Sequence, residues 1–149
     1  MNLGARKEIN DDDIENFIGI SKEFNVFELQ AAIGNRDFAK AVRIVQYFES
    51  NPKIAPIQLV LPSIYGFFSK VLMVFAVGGN DEKQIAAAAG INPFFVKDYI
   101  KAAKIYNYAT VEKILLLLHE YNLRSIGIGS INTSDGSLLK EMLIKIMQA

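Results

Sequence analysis

The fold of this chain depends most on its most apolar stretch, residues 54–77, IAPIQLVLPSIYGFFSKVLMVFAV. Its apolar side chains recur nearly all round a helix. The pattern predicts a helix over much of residues 56–77, either central in its fold or shared with a partner subunit. Pro62 is expected to kink this helix or to lie in its first turn. Proline, glycine and lysine residues interrupt the stretch, so we interpret it as a buried or interface helix and not as a membrane span.

Shorter helices are predicted before this stretch from capping residues and apolar spacing. One follows Asn25 and stops at Gly34, and the next begins near Asp37 with its apolar residues on one stripe. A first short helix is expected over residues 11–18, with Asn10 as its N-cap. The two helices after residue 25 should therefore form a hairpin ahead of the long apolar helix.

The same signals continue after the long helix. Residues 78–80 should end it, and a short helix over residues 81–89 should be closed by Gly90. Asn92 then caps a sixth helix with Pro93 at N1, where the missing proline N–H costs nothing because the first amides are unpaired anyway.

The remaining helices complete an all-α fold. The sixth helix reaches about Tyr106, a seventh starts after Thr110 and ends near Tyr121, and an eighth follows Thr133 or Ser134. Strand-like alternation is hard to find. The sequence therefore predicts a helical bundle of about seven to eight helices.

Composition limits the function classes that remain. The chain has 149 residues, 51% of them apolar, and its formal net charge is zero, so it should fold and it does not have the basic footprint of an autonomous nucleic-acid binder. It has no cysteine and one histidine, which argues against disulfides, cysteine-based zinc sites and thiol nucleophiles, and favours a reducing, cytoplasmic setting. No GxxxxGK[ST] phosphate loop occurs.

No catalytic residue, metal ligand or cofactor is predicted. The histidine, His119, falls inside an amphipathic helix with no nucleophile elbow elsewhere in the chain, so an ordinary helix histidine is the favoured interpretation. Intrinsic enzymatic activity is therefore not expected. A helical enzyme whose site is assembled from distant residues stays open as a third hypothesis.

The segment QIAAAAGINPFFVKDYIK, residues 84–101, resembles a helix-turn-helix. Such a motif reads DNA through polar side chains at the start of its second helix, where this chain has Pro93, Phe94 and Phe95. The phenylalanines suit a buried or protein-facing surface better. A small helix-turn-helix DNA-binding regulator nevertheless remains the alternative function.

Two longer blocks, NVFELQAAIGNRDFAKAVRIVQYF (residues 25–48) and INPFFVKDYIKAAKIYNYATVEKILLLLHEYNLRSIGI (residues 91–128), together with the long apolar helix, resemble the C-terminal part of the delta subunit of the bacterial DNA polymerase III clamp loader. A Phe-x-Leu-x-x-Ala-Ile pattern that opens the collar domain of that family is matched at residues 27–33. A small-residue helix followed by a Pro-aromatic-x-x-Lys helix is matched at residues 86–97.

The resemblance implies a helical collar or oligomerisation domain at residues 25–149, preceded at residues 1–24 by the end of a helical lid domain. In that family the collars of five subunits hold a ring together, and delta contacts the sliding clamp through a separate N-terminal domain. The chain is thus expected to be a fragment without that domain. Its implied role is assembly with other clamp-loader subunits, with at most weak or indirect contact with DNA and none with a membrane.

Several large side chains exceed what one face of each helix requires, which indicates a protein interface. The candidate interface residues are Phe67, Phe68, Met73, Phe75, Phe94, Phe95 and Tyr99. A stripe of lysines, Lys97, Lys101 and Lys104, is a candidate for proximity to DNA, with a solvated helix face as the alternative.

Overall fold

The computed structural model describes residues 23–78, 81–127 and 134–149. Over these residues the chain forms seven α-helices and one 3-10 turn, with no strand, which confirms the predicted all-α class. The elements are α1 (Val26–Gly34), α2 (Phe38–Ser50), α3 (Ile57–Val77), α4 (Glu82–Ala89), the 3-10 turn (Pro93–Phe95), α5 (Val96–Ile105), α6 (Tyr108–Ser125) and α7 (Asp135–Gln148). The helix expected over residues 11–18 lies outside the described residues, and the domain division near residue 24 stays a prediction.

The helix starts predicted from capping chemistry are confirmed. The side chain of Asn25 accepts a hydrogen bond from the Glu28 amide at 2.9 Å, and Asp37 accepts one from the Lys40 amide at 3.2 Å. Ser134 caps α7 in the same way through the Ser137 amide. These bonds satisfy amides that have no partner within the helix, so each helix begins where a short polar side chain can reach back to its first turn.

Two predicted helix boundaries move. The seventh predicted helix, α6, begins at Tyr108 instead of after Thr110, because Asn107 is its cap and accepts a hydrogen bond from the Thr110 amide at 2.8 Å. It also runs beyond Tyr121 to Ser125. Asparagine and threonine are both good caps, and spacing alone does not separate them.

Two expectations about prolines are refined. Asn92 does cap the segment that follows it, accepting from the Phe94 amide at 2.9 Å, but Pro93 opens a 3-10 turn before α5 instead of opening the α-helix itself. Pro62 lies in the second turn of α3 and not in its first. A proline there removes one backbone donor from the helix interior.

The long apolar helix α3 is the centre of the bundle. It packs against α1, α4, α5 and α6 and makes a smaller contact with α7, while α2 packs against α1 and α7. By length and composition alone α3 could cross a membrane. In this fold one side of it, including Ile64, Phe68 and Val71, is buried among the neighbouring helices. Such burial is typical of a core helix.

A hydrogen bond from a buried tyrosine joins the C-terminal end of α5 to the C-terminal end of α1. The Tyr106 hydroxyl, just after α5, donates a hydrogen bond to the Ile33 carbonyl at 2.6 Å. The ring of Phe68 meets the Tyr106 ring edge to face, with centroids 5.3 Å apart. This contact fixes α5 beside α1, and the candidate site lies between those two helices.

Candidate functional site

The most exposed large aromatic side chains gather near the start of α1 and on the 3-10 turn before α5. Phe94 is 83% exposed, Phe27 is 78% exposed and Phe95 is 49% exposed. The rings of Phe94 and Phe95 meet edge to face with centroids 5.1 Å apart. Large aromatic side chains that stay this exposed contribute little to folding and are typical of a binding surface.

A groove of about 390 Å³ lies between Phe27 and Phe95, and we call it the α1–α5 groove. Phe27 and Gln30 of α1 form one wall, and Phe95 and Asp98 form the other. Its floor is formed by two aromatic residues of the core, Phe67 of α3 and Tyr99 of α5. The groove is therefore open to solvent at its rim and closed by packed rings beneath.

Three aromatic rings and one glycine set the depth of the floor. The centroids of Phe67 and Tyr99 are 4.9 Å apart, and Phe67 also meets Phe68 edge to face at 5.3 Å. A Cβ atom added at Gly34 would lie 2.6 Å from Cζ of Phe67. Because Gly34 has no side chain, α1 comes close enough to α3 for the Phe67 ring to fill the gap.

The groove carries one charge of each sign. Lys70, half-buried on α3, places its ammonium 6.0 Å from the centroid of the Tyr99 ring, an attractive cation–π arrangement. Burial raises the pKa of the Tyr99 hydroxyl, and the neighbouring Asp98 carboxylate raises it further. Tyr99 is therefore a neutral hydrogen-bonding group at physiological pH.

Neither charge in the groove is neutralised by an ion pair within the described residues. The described part of the chain contains three ion pairs, with N–O distances of 2.7 to 3.2 Å: Lys40 with Glu28, Arg124 with Glu141, and Lys140 with Glu49. All three lie outside the groove lining. Asp98 is in the first turn of α5, where the helix dipole favours a negative charge. Lys70 lies in the middle of α3, and among the described residues its ammonium group contacts the Tyr99 ring but no carboxylate.

Two further grooves lie elsewhere on the bundle. One, of about 310 Å³, lies between α3 and α6 and includes Pro62, Gly66 and His119. The other, of about 410 Å³, lies between α6 and α7 beside the exposed Leu116. His119 is exposed, and within the described ranges there is no cluster of three histidine or acidic side chains that could hold a metal.

The structure divides the candidate interface residues into buried and exposed sets. Phe67, Phe68 and Tyr99 are buried in the chain's own core, so packing within the chain accounts for them. Phe75 is half-buried and packs edge to face against Tyr108. The remaining members, Met73, Phe94 and Phe95, are exposed and stay candidates for contact with a partner. Phe67 and Phe68 are buried because neighbouring helices cover that side of α3, and Tyr99 is buried where α5 packs against α3.

Phe27 belongs to the groove but is absent from the predicted interface set. The buried side of α1 is formed by Leu29, Ala32 and Ile33, and Phe27 lies nearly opposite that side on a 3.6-residue helix. A large aromatic residue outside the core stripe was the available signal. The sequence analysis used Phe27 only as part of the family pattern at residues 27–33.

The lysine stripe lies on the solvent side of α5. Lys97, Lys101 and Lys104 are all exposed, and the exposed Asp98 lies beside the stripe. Only Asp98 of these four lines the α1–α5 groove. Proximity of the stripe to DNA stays a prediction.

Comparisons with known proteins agree with this architecture. The family model described as DNA polymerase III delta subunit, C-terminal domain, matches residues 23–144. The DNA polymerase III subunit delta of Bacillus subtilis is 28% identical over 146 residues, covering 95% of this chain and 40% of the relative. Among solved structures, the Bacillus subtilis DNA clamp loader delta protein (YqeN) matches with a TM-score of 0.68 and 27% identity over 99% of this chain and 42% of that one. The chain thus spans about two fifths of the length of these relatives.

Proposed function

Because the chain belongs to the family of the DNA polymerase III delta subunit, C-terminal domain, we propose that it is an assembly domain that binds other clamp-loader subunits and so holds a loader complex together. The names of its relatives, a DNA polymerase III subunit and a DNA clamp loader protein, support a cytoplasmic replication complex as its setting. The proposal assigns no reaction to the chain. It leaves contact with a sliding clamp to the part of the longer relatives that the chain does not cover.

The observation that carries this proposal is a set of three exposed phenylalanines: Phe27 and Phe95 line the α1–α5 groove, and Phe94 packs against Phe95. Phe27, Phe94 and Phe95 lie outside the buried core, which is already filled by Phe67, Phe68 and Tyr99 beneath them. Aromatic side chains near the centre of an interface contribute disproportionately to binding, about 2 kcal/mol or more for a hot-spot residue. The exposed phenylalanines at the groove are therefore available for an assembly surface, because the folded core does not bury them.

The DNA-binding regulator is not favoured. The first residues of its reading helix would be Pro93, Phe94 and Phe95, and their side chains cannot donate hydrogen bonds to base edges in the major groove. The lysines that follow could contact only phosphates, and such contacts carry no sequence information.

Co-purification tests the assembly role. The full chain is co-expressed with the other clamp-loader subunits of the same bacterium, the complex is isolated through a tag on one of those subunits, and the retained chain is quantified. We expect the wild-type chain to be retained and Phe94→Asp to reduce retention at least tenfold, because a charge would be buried against an apolar partner. Leu116→Asp is the matched control, since Leu116 is also exposed but lies on α6 away from the α1–α5 groove. A wild-type chain that is not retained would contradict the proposal.

A further inference from the structure

We propose, building on the assembly role, that the α1–α5 groove binds one amphipathic helix of a neighbouring clamp-loader subunit, and that this helix carries an aspartate or glutamate that pairs with Lys70. The occupant is a helix with apolar anchors on one face. Its acidic residue completes a charge pair that the described residues of the chain leave open.

The shape of the groove favours a helix. Its walls are two helix surfaces, with Phe27 on α1 and Phe95 just before α5, and its floor is the ring of Phe67. A helix is about 10–12 Å across, so only one face of it would enter a groove of about 390 Å³. Apolar side chains at i, i+3 or i+4, and i+7 are the anchors that such a groove accepts.

The charge distribution selects the sign of the partner residue. Lys70 is half-buried in the groove and has no carboxylate partner among the described residues. Docking a helix over the groove would remove water from the Lys70 ammonium, and a buried cation without a counter-charge is costly. An acidic partner side chain at this position removes that cost and fixes the axial position of the helix.

Asp98 does not substitute for this partner residue. It lies at the rim in the first turn of α5, where the helix dipole already stabilises its charge, and it makes no ion pair with Lys70 within 4 Å. The neighbouring helix would therefore contact the Asp98 carboxylate at the rim, which the helix dipole stabilises, and below it the Lys70 ammonium, which has no carboxylate partner among the described residues. This asymmetry favours an acidic helix over a basic one.

Crosslinking inside the complex identifies the occupant. A photo-crosslinking amino acid replaces Gln30, a wall residue of the groove, in the full chain, and the co-purified complex is irradiated, digested and analysed by mass spectrometry. We expect one dominant crosslinked peptide from another subunit, with apolar residues at helical spacing and an aspartate or glutamate among them. Crosslinks to a second copy of this chain, to DNA, or to a peptide without an acidic residue would overturn the inference.

A charge exchange tests the pairing itself. Lys70→Glu should reduce retention in the complex at least tenfold, and changing the crosslinked acidic residue of the partner to lysine should restore it. Lys70→Met preserves most of the apolar stem and should also weaken retention, which guards against a folding defect specific to the glutamate variant. Lys53→Glu, at an exposed position between α2 and α3, is the control and should be retained as wild type.

The two proposals fail in different ways. If the wild-type chain does not enter the complex, the assembly role is contradicted. If the wild-type chain enters and both Lys70 variants enter equally well, the assembly role stands and the helix-and-acid inference is overturned.

Discussion

Two adjacent pairs of phenylalanines in this chain have opposite environments. Phe67 and Phe68 on α3 are 5% and 0% exposed, whereas Phe94 and Phe95 on the 3-10 turn are largely exposed. Within each pair the rings meet edge to face at nearly the same centroid distance, 5.3 Å and 5.1 Å. The same dipeptide therefore serves the core in one place and faces solvent in the other.

The surrounding elements explain the difference. α3 is covered by helices on the side that carries Phe67 and Phe68, so both rings pack against tyrosines of α5 and its C-terminal end. The 3-10 turn is held in place by the Asn92 cap and by Pro93, and its own residues include none that is buried. Aromatic residues at a position fixed by local capping, without a covering element, are available to a partner protein.

The largest expected effect is on the buried pair. Phe68→Ala removes a fully buried ring that contacts both Phe67 and Tyr106, and should lower the free energy of unfolding by about 3–5 kcal/mol. Urea denaturation followed by circular dichroism measures this loss. A loss below about 1 kcal/mol would mean that the core around α3 is not packed as described.

The second effect concerns the glycine that makes room for Phe67. Gly34→Ala places a methyl group against the Phe67 ring, which Phe68 and Tyr99 hold in place, and should lower the free energy of unfolding by about 1–2 kcal/mol.

Gly66→Ala is the matched control for this change. No atom lies within 4 Å of a Cβ added at Gly66, which is inside α3. Alanine there should leave the stability unchanged or raise it by up to about 1 kcal/mol through helix propensity. Equal losses at the two glycines, again by urea denaturation, would remove the role assigned to Gly34.

A smaller effect is expected at the tyrosine that packs on Phe68. Tyr106→Phe removes the hydroxyl that donates to the Ile33 carbonyl and should cost about 1 kcal/mol. Tyr121→Phe is the comparison, since the buried Tyr121 hydroxyl makes no hydrogen bond of standard geometry within the described residues and has only the nearby Glu141 carboxylate, which raises its pKa, so its removal should cost less than removal of the Tyr106 hydroxyl. The reverse order of the two variants in urea denaturation would contradict the hydrogen-bond assignment.

The same tyrosine predicts a dependence of stability on pH. Burial raises the pKa of Tyr106 to about 12, and the nearby Arg36 guanidinium lowers it by less. The folded state therefore favours the neutral phenol, so this contribution is complete below pH 10 and is lost as pH rises from 10 to 12. At pH 11 the wild-type chain should have lost about 1.4 kcal/mol from this group. In Tyr106→Phe that part of the alkaline loss should be absent.

The sequence was sufficient for the features that depend on local chemistry. The caps at Asn25, Asp37, Asn92 and Ser134 were predictable because each bond joins a side chain to an amide two or three residues away. The all-α class followed from apolar periodicity in the same way.

The sequence was not sufficient for choosing the exposed face of α3 or the residues of the groove. An apolar pattern nearly all round a helix leaves open which side its neighbours cover, so Phe67 and Phe68 could not be separated from Met73. The groove is also formed by residues about seventy positions apart in the chain, such as Phe27 and Phe95, and such a juxtaposition depends on tertiary packing. Only the placement of Phe27 opposite the α1 core stripe was readable beforehand.

The exposed pair provides the most direct test, in which one variant is measured for both stability and assembly. For Phe94→Ala we expect a free energy of unfolding within about 0.5 kcal/mol of wild type, because the side chain is 83% exposed. We also expect at least tenfold lower retention of this variant in the clamp-loader complex. An unfolding loss as large as that of Phe68→Ala, or retention equal to wild type, would contradict the claim that this pair faces a partner protein.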